Sequence, residues 1–340
     1  MSVWQEGTGN AFPNANIFIP LHQHLHAFSC PMNNHDTDTS LFQHPVWVSV
    51  FALTAAIVWG WAYPLIKIGF GLFGITQAMT GGKMLFAGIR FFISGMIILA
   101  IAGGSHRSFK VSSFGGWLYI LAFSIVNTSL HYAFFYFGLS HSEGARAALL
   151  NSLSVFAVVI LACIFFRNEH MTLRKAIGCL LGALGLLSLH WENGAGQSGF
   201  SWMGDGMIIL NALCGAFASL MTRGLAHRID VFTGTGYSLA IGGFTLAVPG
   251  IIMHGEFLHS NVQGWIVLLL LIAISSIGFA LYNKLLSCNP MGKVAIYNSL
   301  IPVVGALTSC LCLGEAFRWE YVLAGILASS GIFVINKGKA

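Results

Sequence analysis

Three ionisable side chains fall inside long apolar runs, where burying a charge is costly and each such group marks a candidate site: Lys67, Arg90 and His131. Lys67 stands near the end of the first run, where a long stem can also carry the ammonium out to an interface. Arg90 lies deeper, and its planar fork suits a carboxylate clamp or a tie to helix ends. His131, midway along the third run, is either placed to take a proton near neutral pH or is a hydrogen-bonded packing residue. No Asp or Glu falls mid-run; Glu143, Glu169, Asp205, Glu256, Glu315 and Glu320 all stand at ends or in loops. Selection of a cation, or proton coupling through a carboxylate, needs a buried acid. Two cations without one favour an anionic or zwitterionic ligand.

Amides and rings come next. In the run Asn127-Thr-Ser-Leu-His-Tyr-Ala-Phe-Phe-Tyr136, helical spacing puts Asn127, His131 and Phe134/Phe135 on one stripe. Asn151 and Asn298 are a duplicated pair, readable as ligand contacts or as interhelical hydrogen bonds. Trp59, Trp61, Tyr63, Tyr132, Tyr282 and Tyr297 suit an aromatic-lined pocket with a few polar groups, or plain core packing. Pro64 and Pro302 are candidate helix breaks that expose backbone to a cavity. Arg146 and Lys293, a charge repeated at equivalent places, read as gate or interface residues. No HExxH or GxSxG motif and no metal-ligand spacing sits in the apolar runs, so no catalytic residue, metal or cofactor is assigned. Five of the seven cysteines are scattered through apolar runs without CxxC spacing and read as small packing residues.

The elements that position these residues follow from composition. Apolar residues are 56% of the 340 and charged ones 8%, with a mean hydropathy of +0.76. A soluble domain carries about 25% charged residues. This composition excludes a water-soluble globule and predicts an all-α integral membrane protein in a lipid bilayer, without a nucleic-acid partner. Ten apolar runs cover 46–70, 84–103, 115–138, 145–166, 175–190, 202–222, 232–254, 264–286, 292–313 and 320–336. With ten transmembrane helices and the N-terminus inside, eleven Lys/Arg fall at cytoplasmic ends and three on the other side. Dropping the fifth run gives six against eight, so the positive-inside rule selects ten spans, N-in/C-in.

The chain also repeats itself. Arg146-Ala-Ala-Leu-Leu-Asn-Ser-Leu153 returns 147 residues later as Lys293-Val-Ala-Ile-Tyr-Asn-Ser-Leu300, and ten identical pairs share that offset. Five spans per copy is odd, so the second copy is inverted relative to the first. That predicts two inverted five-helix repeats, 46–190 and 202–337, with a substrate site near mid-membrane between them. Residues 1–45 contain no Lys or Arg and five His, and read as a disordered extension rather than a signal peptide. His22-Gln-His-Leu-His26 suits metal binding or no role at all, and Met32 is a candidate true start of translation.

Three motifs resemble a known family. Val58-Trp-Gly-Trp-Ala-Tyr-Pro-Leu-Ile-Lys67 resembles the tryptophan-glycine first helix of EamA-type transporters in the drug/metabolite transporter (DMT) superfamily, and Arg90-Phe-Phe92 resembles their second-span arginine. Phe165-Phe-Arg-Asn-Glu169 and Cys312-Leu-Gly-Glu315 resemble the family's leucine-glycine-glutamate turn, the first copy departing with Arg-Asn for Leu-Gly. The resemblance covers residues 46–337 and implies transport of small metabolites, amino acids or drugs. The expectation is a secondary transporter of a bacterial cytoplasmic (inner) membrane, working by alternating access. Its cargo would be a small amino acid-like or otherwise anionic/zwitterionic metabolite, moved outward. The candidate site is Trp59, Tyr63, Lys67, Arg90, Asn127, His131, Tyr132, Asn151, Tyr282 and Asn298, with Arg146 and Lys293 as gate or interface. Rival readings are a membrane-embedded enzyme, a non-transporting sensor or scaffold, and a carrier of drugs or sugar phosphates and nucleotide sugars. Oligomeric state, monomer or homodimer, stays open.

Overall fold

The computed structural model describes residues 41–111, 113–165, 170–188, 200–226, 228–259, 261–289, 294 and 296–336. His22 to His26, Met32, Glu169 and Lys293 lie outside the described residues. The described residues are mostly helical, and no strand occurs among them. Ten helical segments follow one another: α1 Pro45–Phe73, α2 Thr80–Gly104, α3 Phe114–Ser140, α4 Gly144–Phe165 and α5 Leu173–Ser188. After them come α6 Trp202–Ala226, α7 Val231–Ile252, α8 Val262–Cys288, α9 Ile296–Leu313 and α10 Trp319–Asn336. Seven of these are long and apolar enough to cross a membrane (α1 to α4 and α6 to α8), and residues 300–313 and 319–335 form shorter apolar helices.

Local chemistry sets where the helices start. Ser113, Ser201, Asp230 and Asn261 each accept a backbone N–H three residues on, at 2.6 to 3.1 Å, which satisfies one of the donors a helix N-terminus leaves open. Residues 41–43 are also helical, just ahead of α1. Phe42 is buried against Val48, Leu285 and Val294, and its carbonyl accepts from Asn289 Nδ2 at 2.8 Å.

The surface pattern is the reverse of a water-soluble fold. Leu311, Phe114 and Leu173 are at least 77% exposed, while Arg90, Lys83 and Asp205 are at most 2% exposed. Apolar side chains that face outward in this number suit lipid, and the polar groups turn inward.

Helix pairing treats the two halves alike. α2 packs on α7, α5 on α10 and α4 on α9; α1 meets α8 and α9, just as α6 meets α3 and α4. Exchanging each helix with the one five places on leaves that set of pairs unchanged. Equivalent helices also run antiparallel. On α2, Gly81 faces Gly250 and Gly88 faces Ala247; on α5, Gly178 faces Gly331 and Gly185 faces Ala324. The approach is close, for a Cβ at Gly88 would stand 2.5 Å from Ala247 N. Only a residue without a side chain lets these backbones come so near.

The interruptions fall elsewhere than at the prolines. Pro64 sits inside the unbroken α1, and Pro302 inside the helical part of α9. α4 instead tightens at Ser152, whose N–H and hydroxyl both bond the Leu149 carbonyl, at 3.1 and 2.7 Å. A hydroxyl competing for that acceptor pulls the turn towards 3₁₀ geometry. Its repeat equivalent lies in the 3₁₀ turn Ile296–Ser299 that opens α9. The duplicated Asn-Ser pair thus marks a tightened turn in both halves. α3 carries the opposite irregularity, a π-helical turn over Ile125–Leu130 that holds Asn127, Thr128 and Ser129.

Candidate functional site

All the helices but α7 contribute to the lining of a central cavity of about 250 Å³. Nine of the ten candidate residues line it: Trp59, Tyr63, Arg90, Asn127, His131, Tyr132, Asn151, Tyr282 and Asn298. Phe135, Phe279, Asn283 and Ser154 join them. Phe134 does not; it turns to a second cavity behind Tyr132.

Arg90 is the charge at the centre. Ten residues into α2, it lies ~15 Å along the helix, about half the thickness of a bilayer core. Its Nε donates to Leu271 O at 3.1 Å and Ser275 Oγ at 2.8 Å, and its Nη1 to Tyr136 Oη at 2.9 Å. All three acceptors are neutral. Among the described residues no carboxylate pairs with Arg90, and Nη2 has no hydrogen-bond partner. The helix of α8 and the Tyr136 hydroxyl therefore fix the guanidinium and leave its positive charge uncompensated beside the cavity.

The walls are rings tied by amides. Trp59 stands edge-on to Phe279 and Tyr282, at ring separations of 5.3 and 5.0 Å, and Tyr63 edge-on to Phe135 at 5.3 Å. Asn151 Nδ2 donates to Tyr63 Oη at 2.9 Å and Asn298 Nδ2 to Tyr282 Oη at 2.6 Å. Each repeated asparagine thus fixes one tyrosine of the wall. Asn211 of α6 donates in turn to Asn151 Oδ1 at 2.7 Å. His131 packs against α6 and its own helix. The ring lies over Gly215 and edge-on to Tyr132, and Nδ1 is buried without a partner.

Lys67 is the candidate that the cavity leaves out. Its ammonium donates to Ser142 O at 2.8 Å and to Glu315 Oε1 at 3.1 Å. Glu315 also accepts the Gly144 and Ala145 N–H groups, at 2.7 and 3.0 Å, so the end of α9 caps the start of α4. A carboxylate there meets both the open donors and the positive end of the helix dipole. Beside it Arg318 reaches Glu143 at 3.1 Å, and the Tyr321 hydroxyl bonds the same carboxylate. Arg146 forms a bidentate pair with Asp205, at 2.9 and 2.7 Å, both side chains buried. It joins α4 to α6 and so one half to the other. These contacts hold together the end of the bundle at which α1 and α9 finish. The cavity lining runs the other way, to Lys175, Leu286 and Ile335 at the opposite end.

The acidic partners are what sequence reasoning left without a role. Glu315, Asp205 and Glu143 were recognisable only as acids at run ends, although the leucine-glycine-glutamate turn did single out Glu315. Among the described residues no group of His, Cys, Asp and Glu is arranged to hold a metal ion.

Comparison with known proteins gives a consistent picture. Residues 46–190 and 202–337 each match the EamA-like transporter family. A WAT1-related chloroplastic protein of Arabidopsis thaliana is 23% identical over 264 residues, which cover 75% of this chain and 63% of that protein. The uncharacterized transporter YvbV of Bacillus subtilis is 25% identical over 290 residues, 84% of this chain and 90% of its own. An uncharacterized transporter of Archaeoglobus fulgidus is 22% identical over 292 residues, 84% and 95% of the two chains. A solved crystal structure at 17% identity superposes with a TM-score of 0.63 over 85% of this chain and 96% of that one, a likeness of fold alone.

Proposed function

This chain belongs to the EamA-like transporter family of the DMT superfamily, integral multi-pass membrane proteins, and from that premise we propose that it is a secondary transporter of a small anionic or zwitterionic, amino acid-like metabolite. One observation carries the choice of cargo: Arg90 faces the central cavity with a free Nη2 and no carboxylate partner among the described residues. An unpaired buried charge is costly. A cargo carboxylate would supply the missing counter-charge in bidentate geometry. The cavity of about 250 Å³ is below the ~300–1,000 Å³ that takes drug-sized ligands, which favours a metabolite. Aromatic walls and amide-held hydroxyls suit its apolar body and polar substituents.

The mechanism we infer is alternating access between two inverted five-helix repeats, each helix crossing a bacterial cytoplasmic membrane with both termini inside. Antiparallel packing of α2 on α7 and α5 on α10 supports the inversion. The excess of Lys/Arg supports a cytoplasmic location for the Lys175 end, towards which the cavity lining runs. The Lys67–Glu315 contact then acts as the outer latch, which moves Lys67 from the binding site to the gate. Arg146 serves beside it through Asp205. Loading from the cytoplasm and release outside make the protein an exporter.

Counterflow in proteoliposomes tests this. Small amino acids and monocarboxylates should exchange and cationic amines should not. Arg90→Ala should lower affinity for the anionic cargo at least about tenfold, the loss of a charge-assisted bond of ~1.5–3 kcal/mol. Unchanged affinity in a folded Arg90→Ala protein would sink the role of Arg90, and absence of any flux the carrier itself.

A further inference from the structure

A second cavity, also about 250 Å³, lies between α2, α3 and the start of α6. Its lining on α2 descends one helix face as Thr80, Lys83, Met84 and Ala87; Phe137, Phe134, Ala133 and Tyr132 of α3 stand opposite. Lys83 is the only charged residue in the lining. It does not snorkel: the side chain is 1% exposed, one turn inside the start of α2. Its ammonium donates to Gln77 O at 2.5 Å and lies 4.6 Å from the centre of the Phe137 ring. Those are its partners among the described residues, and neither carries a charge. Two of the three ammonium donors are therefore unused.

The polarity of this cavity is graded along the helix axis. The cation is at the shallow end, near headgroup depth, and the apolar walls are deeper, with Met84 and Met207 as adaptable surfaces. A membrane phospholipid has the same gradient. We propose that this cavity holds an anionic phospholipid, its phosphate on Lys83 and part of one acyl chain along Met84 and Ala87. The phosphate supplies the charge that Lys83 lacks, and the chain fills space that water would wet poorly. The site is independent of the central cavity in its chemistry but shares a wall with it. Tyr132 lines both, and Tyr136 lines this one while holding Arg90.

The experiment is native mass spectrometry of the full chain in detergent with equal amounts of dioleoyl phosphatidylglycerol and dioleoyl phosphatidylcholine. Wild type should retain phosphatidylglycerol about tenfold over phosphatidylcholine, the value of one charged hydrogen bond. Lys83→Gln should lose that preference, Lys83→Arg keep it, and the loop variant Lys110→Gln keep it as well. Equal retention of the two lipids by wild type overturns the proposal whether or not Lys83→Gln folds. So does a preference that survives in Lys83→Gln. Oleate binding in place of phosphatidylglycerol overturns the phospholipid as occupant. Loss of lipid preference with counterflow intact leaves the transport reading standing, so the two fail separately.

Discussion

The charge of Arg90 is held by neutral groups, and Tyr136 is the one most easily removed without disturbing the helix backbone. Tyr136→Phe deletes a single acceptor, 2.9 Å from Nη1, inside a fully packed side chain. Loss of one hydrogen bond to a charged group costs about 1.5–3 kcal/mol. KM for the anionic cargo should rise roughly tenfold with the fold retained, read by counterflow beside a thermal melt. A KM that stays put means that Tyr136 does not orient the guanidinium. Polar and aromatic residues in apolar runs were legible as the lining of a cavity because each is expensive in lipid unless it faces a cavity or a partner. The contact of Lys67, which stands outside that lining, was not legible. Its partner Glu315 is 248 residues away, and sequence spacing carries no trace of that contact. Arg146 was flagged by charge repeated between the halves, while the identity of Asp205 as its partner was not. The missing hydrogen bond of His131 had no signal either, because the surface it packs on is a glycine.

Helices were readable from apolar runs and their length, including the short α5 and α10. Their interruptions were not. Proline is the strongest breaker in a composition-based reading, yet Pro64 is accommodated within α1, and the tightened turn of α4 is set by the Ser152 hydroxyl competing for the Leu149 carbonyl. Gly88→Ala would place a methyl 2.5 Å from Ala247 N in the α2–α7 contact. Overpacking of this kind costs about 1–3 kcal/mol and should lower the melting temperature in detergent. Gly71→Ala, where no atom lies within 4 Å, is the control. Removing a helical glycine there should hold or raise stability by up to ~1 kcal/mol. Equal effects at both positions contradict the close approach of α2 and α7.

At the scale of the whole molecule, the ends of the bundle differ. One is tied by Lys67–Glu315, Arg318–Glu143 and Arg146–Asp205, and the cavity lining runs to the other. Glu315→Gln removes the charge that holds Lys67 while keeping one acceptor oxygen at the start of α4, where Gly144 and Ala145 each donate to a separate carboxylate oxygen. With Ala62→Cys as a cavity probe in a background without the native cysteines, an impermeant maleimide applied from the Glu315 side should label faster. A charged contact of ~1.5–3 kcal/mol corresponds to a change of about tenfold or more. Lys67→Met should act alike, and the double variant should add little. Labelling at the wild-type rate excludes the latch.

The cap on α4 has a further consequence. Its carboxylate comes from the other half of the chain, and the guanidinium of Arg146, the residue after Ala145, finds its acid there too. A gene cut between α5 and α6 would therefore leave the first polypeptide with a helix start it cannot finish alone. Co-expression should restore what that fragment lacks, because heteromeric assembly is written into the termini of the helices themselves.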